Sequence, residues 1–229
     1  LNAADYGVPQ ARHRILFYGF SIAALNSAAE AALISETVSS EFEPLPPTTH
    51  SDGPIPSTGI PGMQKRHVTV GDVIGDLPEP EMSLDHSHVA YSKARWYGTH
   101  CQGQTEVNLR GLGPTIRAEH HGNIEFRRLS SAHGGKNDAE LKNGLLERRL
   151  TLRECGRIQT FPDDFELIRK GNLDEFNLSA SDGYRLVGNA VPPLLAHHIA
   201  RRLEQIWPTL FLEVQHDSVF PDRNPVSTV

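Results

Sequence analysis

The sequence is poor in cysteine: its two, Cys101 and Cys155, stand more than fifty residues apart in unrelated contexts. Such a pair gives neither a disulfide framework nor a metal-ligand spacing, and it fits a reducing cytoplasm. No uninterrupted apolar run approaches the roughly 20 residues that a membrane-spanning helix needs. The opening Leu1-Asn2-Ala3-Ala4-Asp5 has no basic-then-apolar signal, so a soluble protein is expected. Positive charge is not in excess either: 22 Lys+Arg against 28 Asp+Glu leave a net charge of −6. That balance argues against a chain that coats nucleic acid non-specifically, although a local basic surface can still bind phosphate. What is present is 229 residues, 38% hydrophobic and 22% charged, enough for one or two domains with a real core. The 35 Gly and Pro residues imply many turns, and Leu rather than Met at position 1 suggests a fragment or one piece of a larger enzyme.

Along the chain, Ile15-Leu16-Phe17-Tyr18-Gly19-Phe20 reads as a buried strand. Ser21 to Ser35, rich in Ala and opened by Ser21 as N-cap, reads as a helix. From Glu41 to Met63 six prolines among Ser, Thr and Gly make a loop or linker. Val68 to Pro78 begins as a strand-like triplet and continues as a short helix ended by Pro78. Leu150 to Phe161 and Pro192 to Trp207 read as two further helices, and the tail after Pro208 as irregular. Charge is uneven: Glu30 to Asp85 carries a net of −8, whereas Glu106 to Arg157 carries +3. Any phosphate contact is expected in that second stretch.

Three constellations carry chemistry. In an extended Gln10-Ala11-Arg12-His13-Arg14, Gln10, Arg12 and Arg14 project to one face. Two guanidiniums there suit a phosphate, a carboxylate or a base carbonyl, against the plainer reading of a solvated strand entry. In Arg149 to Pro162, Thr151 and Glu154 have capping-box spacing, Leu150, Ile158 and Phe161 supply an apolar stripe, and Arg153 and Arg157 share another face, free to pair with Glu154 or a neighbouring domain. In Asp182 to Pro193, Gly188-Asn189 and then Pro192-Pro193 set a tight turn against a helix start, where free N–H groups can receive an anion. Taken singly, the second is an ordinary capped helix and the third a plain turn.

Together and in this order, the three resemble the C-terminal part of the DNA (cytosine-5) methyltransferase family. Ala4 to Arg14 resembles its motif VIII, Arg149 to Pro162 its motif IX, and Tyr184 to Pro193 its motif X. The resemblance implies an α/β fold: the end of a doubly wound, Rossmann-like methyltransferase domain plus a small, irregular, β-rich target-recognition domain. Residues 1–46 would close the catalytic domain, 47–146 form the recognition domain, 147–207 return to the catalytic domain and 208–229 form a tail. It implies transfer of a methyl group from S-adenosyl-L-methionine to C5 of a cytosine flipped from duplex DNA. Carried onto matching positions, Arg14 would bond the flipped cytosine, and Arg12 would organise the active site and backbone contacts with Gln10 beside it. Asn189, Ala190 and Val191 would close over the methionine end of the cofactor, and motif IX (Thr151, Arg153, Glu154, Arg157) would brace the recognition domain. Gly113-Pro114-Thr115-Ile116-Arg117 resembles a Thr-Leu element in which Thr115 would touch DNA backbone and Arg117 read guanine or hold phosphate.

The departures matter equally. The Phe-x-Gly-x-Gly cofactor loop, the Pro-Cys nucleophile block and the Glu-Asn-Val block are not in the sequence. His100-Cys101-Gln102-Gly103 mimics part of the nucleophile block without its proline, and Cys155 is expected in the core. The chain is therefore expected to be inactive alone and to work with an N-terminal catalytic portion or a partner subunit that carries the nucleophilic cysteine, in a bacterial restriction-modification setting and a cytoplasmic location, or a nuclear one in a eukaryote. A non-catalytic DNA-binding or regulatory subunit and a tRNA cytosine-5 methyltransferase stay open as alternatives. Metal is not expected, because His120-His121 and His197-His198 point apart and His86-Ser87-His88 lacks further ligand blocks.

Overall fold

A computed structural model describes residues 1–53, 64–98, 103–118, 124–136, 138–169 and 178–211. Cys101, His120 to Asn123 and the chain after 211 lie outside the described residues. The architecture is mixed α/β and divides into two units: Leu1–Leu16 with Pro47–His198, and Phe17–Pro46 with the chain from Ile199 onward.

In the first unit the chain opens with a 3-10 turn, Ala3–Tyr6, capped by the Asn2 side chain and closed by Gly7 at φ 85°. It then doubles back, so that the Leu1 amino group donates to the Arg14 carbonyl and Ala3 N–H to that of Arg12, at 2.8 and 3.0 Å. Beyond the turn, Gly113 pairs with the backbone on both sides of Gln10. Two short sheets follow the same economy. β1 (His50–Ser51) runs parallel to β2 (Lys65–Arg66), and β3 (Phe126–Arg128) antiparallel to β4 (Arg148–Arg149).

The core of this unit gathers around α5 (Leu152–Ile158), which packs against α2 (Val70–Ile74), α3 (His86–Val89) and α6 (Ala180–Asn189). Leu150, Leu152, Ile158, Ile74, Ile116 and Val187 are buried together here. Each such side chain contributes about 1.5–3 kcal/mol by leaving water. α5 starts where the sequence says it should: Thr151 accepts from Glu154 N–H while Glu154 accepts from Thr151 N–H, a complete capping box. Gly183 lets α6 close on α5, since a Cβ there would sit 2.3 Å from Leu152 Cδ2.

Four arginines on β3 and β4 are buried, and each has its charge matched or its donors used. Arg148 forks onto Glu154 at 2.8 and 2.9 Å and reaches Glu79, Arg127 forks onto Glu140, and Arg128 pairs with Glu79 and Glu140. Arg149 instead donates to the carbonyls of Ala94, Trp96, Gly103 and Ile124. α4 (Asp138–Lys142) supplies Glu140. Buried charge is tolerated here because each guanidinium meets carboxylates or backbone carbonyls at hydrogen-bond distance.

The second unit contains α1 (Ser27–Leu33) and the part of α7 (Pro193–Leu210) from Ile199 on. Leu25, Ala29, Phe42, Ile206 and Leu210 form its core, and Arg202 donates to the carbonyls of Glu43 and Ser40.

Two local expectations are corrected. Ile15 to Phe20 is not a buried strand: Ile15 is 82% and Phe17 93% exposed, while Leu16 and Tyr18 are half-buried. The period-2 alternation is there, but no neighbouring strand among the described residues hydrogen-bonds to it, and a strand exists only with its ladder partner. Ser21 to Ser35 is a 3-10 turn, Ile22–Ala24, followed by α1, whose cap is Asn26 rather than Ser21. Asn26 wins because its side-chain oxygen reaches Ala29 N–H at 2.8 Å, whereas the Ser21 hydroxyl makes no capping bond.

Candidate functional site

The Gln10 to Arg14 stretch alternates as an extended chain should, with Gln10 and Arg12 buried and Ala11 and His13 exposed. The alternation breaks at Arg14, which is exposed and whose guanidinium donates to the adjacent His13 carbonyl, at 2.6 Å. The expected face of two guanidiniums is thus split between a buried Arg12 and an exposed Arg14. Gln10 is fully buried, and its amide oxygen and nitrogen have no hydrogen-bond partner among the described residues. A buried amide in that condition is a costly feature that a polar ligand would relieve.

Arg12 has a different place. Its Nη1 donates to the Ile116 carbonyl at 3.1 Å, and its Nη2 to the carbonyls of Gly188 at 2.8 Å and Ala190 at 3.1 Å. Gly188 and Ala190 end α6, where carbonyls lack helical partners and the dipole favours a cation. Burial, with Arg14 nearby, pushes the Arg12 guanidinium down to about 10. It still stays protonated at neutral pH, held by carbonyl dipoles instead of a carboxylate. One side chain therefore fastens the 113–117 segment and the 188–190 turn to the start of the chain.

The turn itself is exposed on its outer side. Asn189 and Val191 face solvent, and the Asn189 side chain makes no hydrogen bond among the described residues. On its inner side, Gly188 lies flush against the 113–118 segment: a Cβ there would come within 2.4 Å of the Arg117 carbonyl carbon. Thr115 directs its hydroxyl to the Ala11 carbonyl at 2.8 Å. Arg117 is half-buried, and its charge opposes the effect of burial, which pushes the Glu125 carboxyl up. So Gln10, Arg12, Thr115, Arg117 and Asn189 to Val191 belong to one neighbourhood, with Arg14 at its outer edge.

Of Thr151, Arg153, Glu154 and Arg157, the first and third bond each other as the α5 capping box, and the two arginines reach outside the set. Arg153 pairs with Asp85 at 2.5 Å; Arg157 pairs with Asp76 at 2.6 Å and forks onto Asp163. Neither takes Glu154, which Arg148 occupies. His88, missed in the sequence, is buried between Thr151 Oγ1 and the Pro78 carbonyl, each at 2.8 Å. Since a carbonyl only accepts, Nε2 carries a proton and donates it to Pro78. Gln159 and Thr160 were also missed; they follow the last apolar residue of α5, where any helix must find caps. Cys155 is fully buried, and burial raises its thiol well above the ordinary range, so it is a core residue and not a nucleophile. Among the described residues no group of three or more His, Cys, Asp or Glu side chains could hold a metal ion, and no helix is long and apolar enough to cross a membrane.

The chain belongs to the C-5 cytosine-specific DNA methylase family, whose model matches residues 1–205. It is similar to the Type II methyltransferase M.MthTI of Methanothermobacter thermautotrophicus, 28% identical over 90% of this chain and 54% of that protein. It is also similar to M.BsuRI of Bacillus subtilis, 27% identical over 97% and 45%, and to M.BspRI of Lysinibacillus sphaericus, 30% identical over 90% and 42%. The chain spans about half the length of the curated relatives it matches.

Proposed function

We propose that this chain is the C-terminal portion or subunit of a DNA (cytosine-5) methyltransferase of the restriction-modification type. It would carry the recognition segment and the turn that closes the cofactor site, and work with an N-terminal portion or partner subunit bearing the nucleophilic cysteine. The observation that supports this best is the Arg12 junction, where three segments distant in sequence meet on one guanidinium.

The residues fit S-adenosyl-L-methionine at the 188–193 turn. Asn189 offers an uncommitted amide to the polar end of that molecule, and the exposed Val191 an apolar flank. When bound, the cofactor supplies an electrophilic methyl group. Arg12 keeps the turn in place, and the unpartnered Gln10 amide and the outward Arg14 present hydrogen-bonding groups to a flipped cytosine and its backbone. Thr115 and Arg117 would meet duplex DNA, with Arg117 the residue able to fork onto guanine.

Co-expression with the complementing reading frame, followed by nucleoside analysis of host DNA and tRNA, tests this reading. It predicts 5-methylcytosine in DNA within one sequence context, and only in cells that make both polypeptides. DNA binding without any methylation would favour the regulatory subunit, and methylated tRNA the RNA enzyme.

A further inference from the structure

The end of α5 breaks a local rule. Thr160 N–H returns to the Arg157 carbonyl and Phe161 N–H to that of Gly156, both at 2.9 Å, which is the Schellman ending of a helix. The residue at its left-handed position is ordinarily glycine, yet here it is a β-branched threonine at φ 65°. The hydroxyl that comes with it accepts the Leu194 N–H at 3.0 Å, in the first turn of α7. The preceding Gln159 is fully buried, and its Nε2 donates to the Val187 carbonyl in the last turn of α6. Two consecutive residues thus hold the exit of one helix and the entry of the next. Between those two anchors lie Gly188 to Pro193.

We infer that Gln159 and Thr160 are positioning residues for the Asn189–Val191 turn, fixing it from behind so that its outer side is presented to S-adenosyl-L-methionine; the cofactor part of this inference rests on the function proposed above. Arg12 holds the same turn through Gly188 and Ala190. The loop is therefore fastened at three points on its inner side, while Asn189 and Val191 stay exposed. A threonine whose backbone is strained, and whose hydroxyl caps another helix, is best explained by the second duty.

Thr160→Gly separates position from stability, because glycine relieves the backbone while deleting the cap. Thr160→Val keeps the β-branch and deletes only the hydroxyl, Thr160→Ser restores it, and Gln159→Leu removes the second anchor. Amide hydrogen exchange in this chain should quicken about fivefold at Leu194 and its neighbours in the Gly and Val variants. Thr160→Ser should stay near wild type, and thermal stability of Thr160→Gly should not fall. In the methyl-transferring assembly, S-adenosyl-L-methionine affinity should weaken about fivefold in Thr160→Val, with duplex DNA affinity unchanged. Unchanged exchange in both Thr160→Gly and Thr160→Val, or equal weakening of cofactor and DNA binding, would overturn the inference. Quickened exchange in an assembly whose wild type binds no S-adenosyl-L-methionine would uphold the clamp and refute the cofactor reading instead.

Discussion

Arg12 Nη2 donates to the Gly188 carbonyl oxygen across 2.8 Å, joining residues 176 apart in sequence. The same guanidinium takes the Ile116 carbonyl, so the segment assigned to DNA and the turn assigned to the cofactor share one support. Removing the side chain would strand three carbonyls at a buried point. Arg12→Ala should cost about 3–5 kcal/mol of folding stability, measured as a lower urea midpoint. Arg12→Lys should recover only part of it, because one ammonium cannot span the planar fork. A midpoint unchanged in Arg12→Ala would mean that the junction holds nothing.

Gly188 meets the backbone of Arg117 and Ala118 without a side chain. In Gly188→Ala the new methyl would sit 2.4 Å from backbone of Arg117, which cannot swing away as a side-chain tip can. A loss of about 1–3 kcal/mol is expected, together with weaker duplex binding as residues 116–118 shift. Calorimetry and a DNA titration measure both. Wild-type melting and DNA affinity would show that the two segments are not in contact.

Acid should loosen the arginine network. Burial raises the Glu79 carboxyl, but the hydrogen bond and charge of Arg148, with Arg128 and Arg127, outweigh it and leave Glu79 below its ordinary 4.5. Asp85 is lowered in the same way, burial being outweighed by Arg153 and Ser87, and Asp163 chiefly by the hydrogen bond from Arg157. A carboxyl depressed by folding adds stability above its unfolded value, and loses it as pH falls through the folded one. Urea midpoints should hold between pH 7 and 5 and drop below about pH 4.5. Glu79→Gln should lower the neutral midpoint by about 1–3 kcal/mol and flatten the acid drop. An identical acid profile in Glu79→Gln would remove this carboxylate from the network.

Cys155 should resist alkylation. Its thiol is fully buried and pushed up by desolvation, so iodoacetamide near neutral pH should label it only after unfolding. Peptide mapping of native and denatured samples decides this. Rapid native labelling at Cys155 would return it to consideration as a reactive group.

How much of this was legible in the sequence depends on the range of each interaction. The α5 capping box is local, so Thr151 and Glu154 announced it three residues apart, and Pro192-Pro193 likewise marked the start of α7 within a residue. Ile15 to Phe20 misled because alternation shows only that a chain can lie in a sheet, not that a partner lies beside it. The burial of Arg148 and Arg149 was hidden for a related reason. Arg148 has one partner close by, Glu154, but Glu79, Ala94 and Gly103 lie 46 to 69 residues away, beyond what a local pattern carries.

At the site, alternation put Gln10 and Arg12 together among the buried residues, while Arg14 stays exposed. His88 and the Gln159-Thr160 pair were silent for another reason. A lone histidine or a polar dipeptide at a helix end means little until the group it caps is known.

The most direct measurement is tritiated methyl transfer from S-adenosyl-L-methionine to duplex DNA, by this chain with its complementing polypeptide, in wild-type and Arg12→Lys forms. The account predicts transfer by the wild-type pair and by neither polypeptide alone. In Arg12→Lys it predicts a loss of about 100-fold, as expected when a site is misplaced by an ångström or so. Full transfer by the Arg12→Lys pair, or transfer by this chain alone, would contradict it.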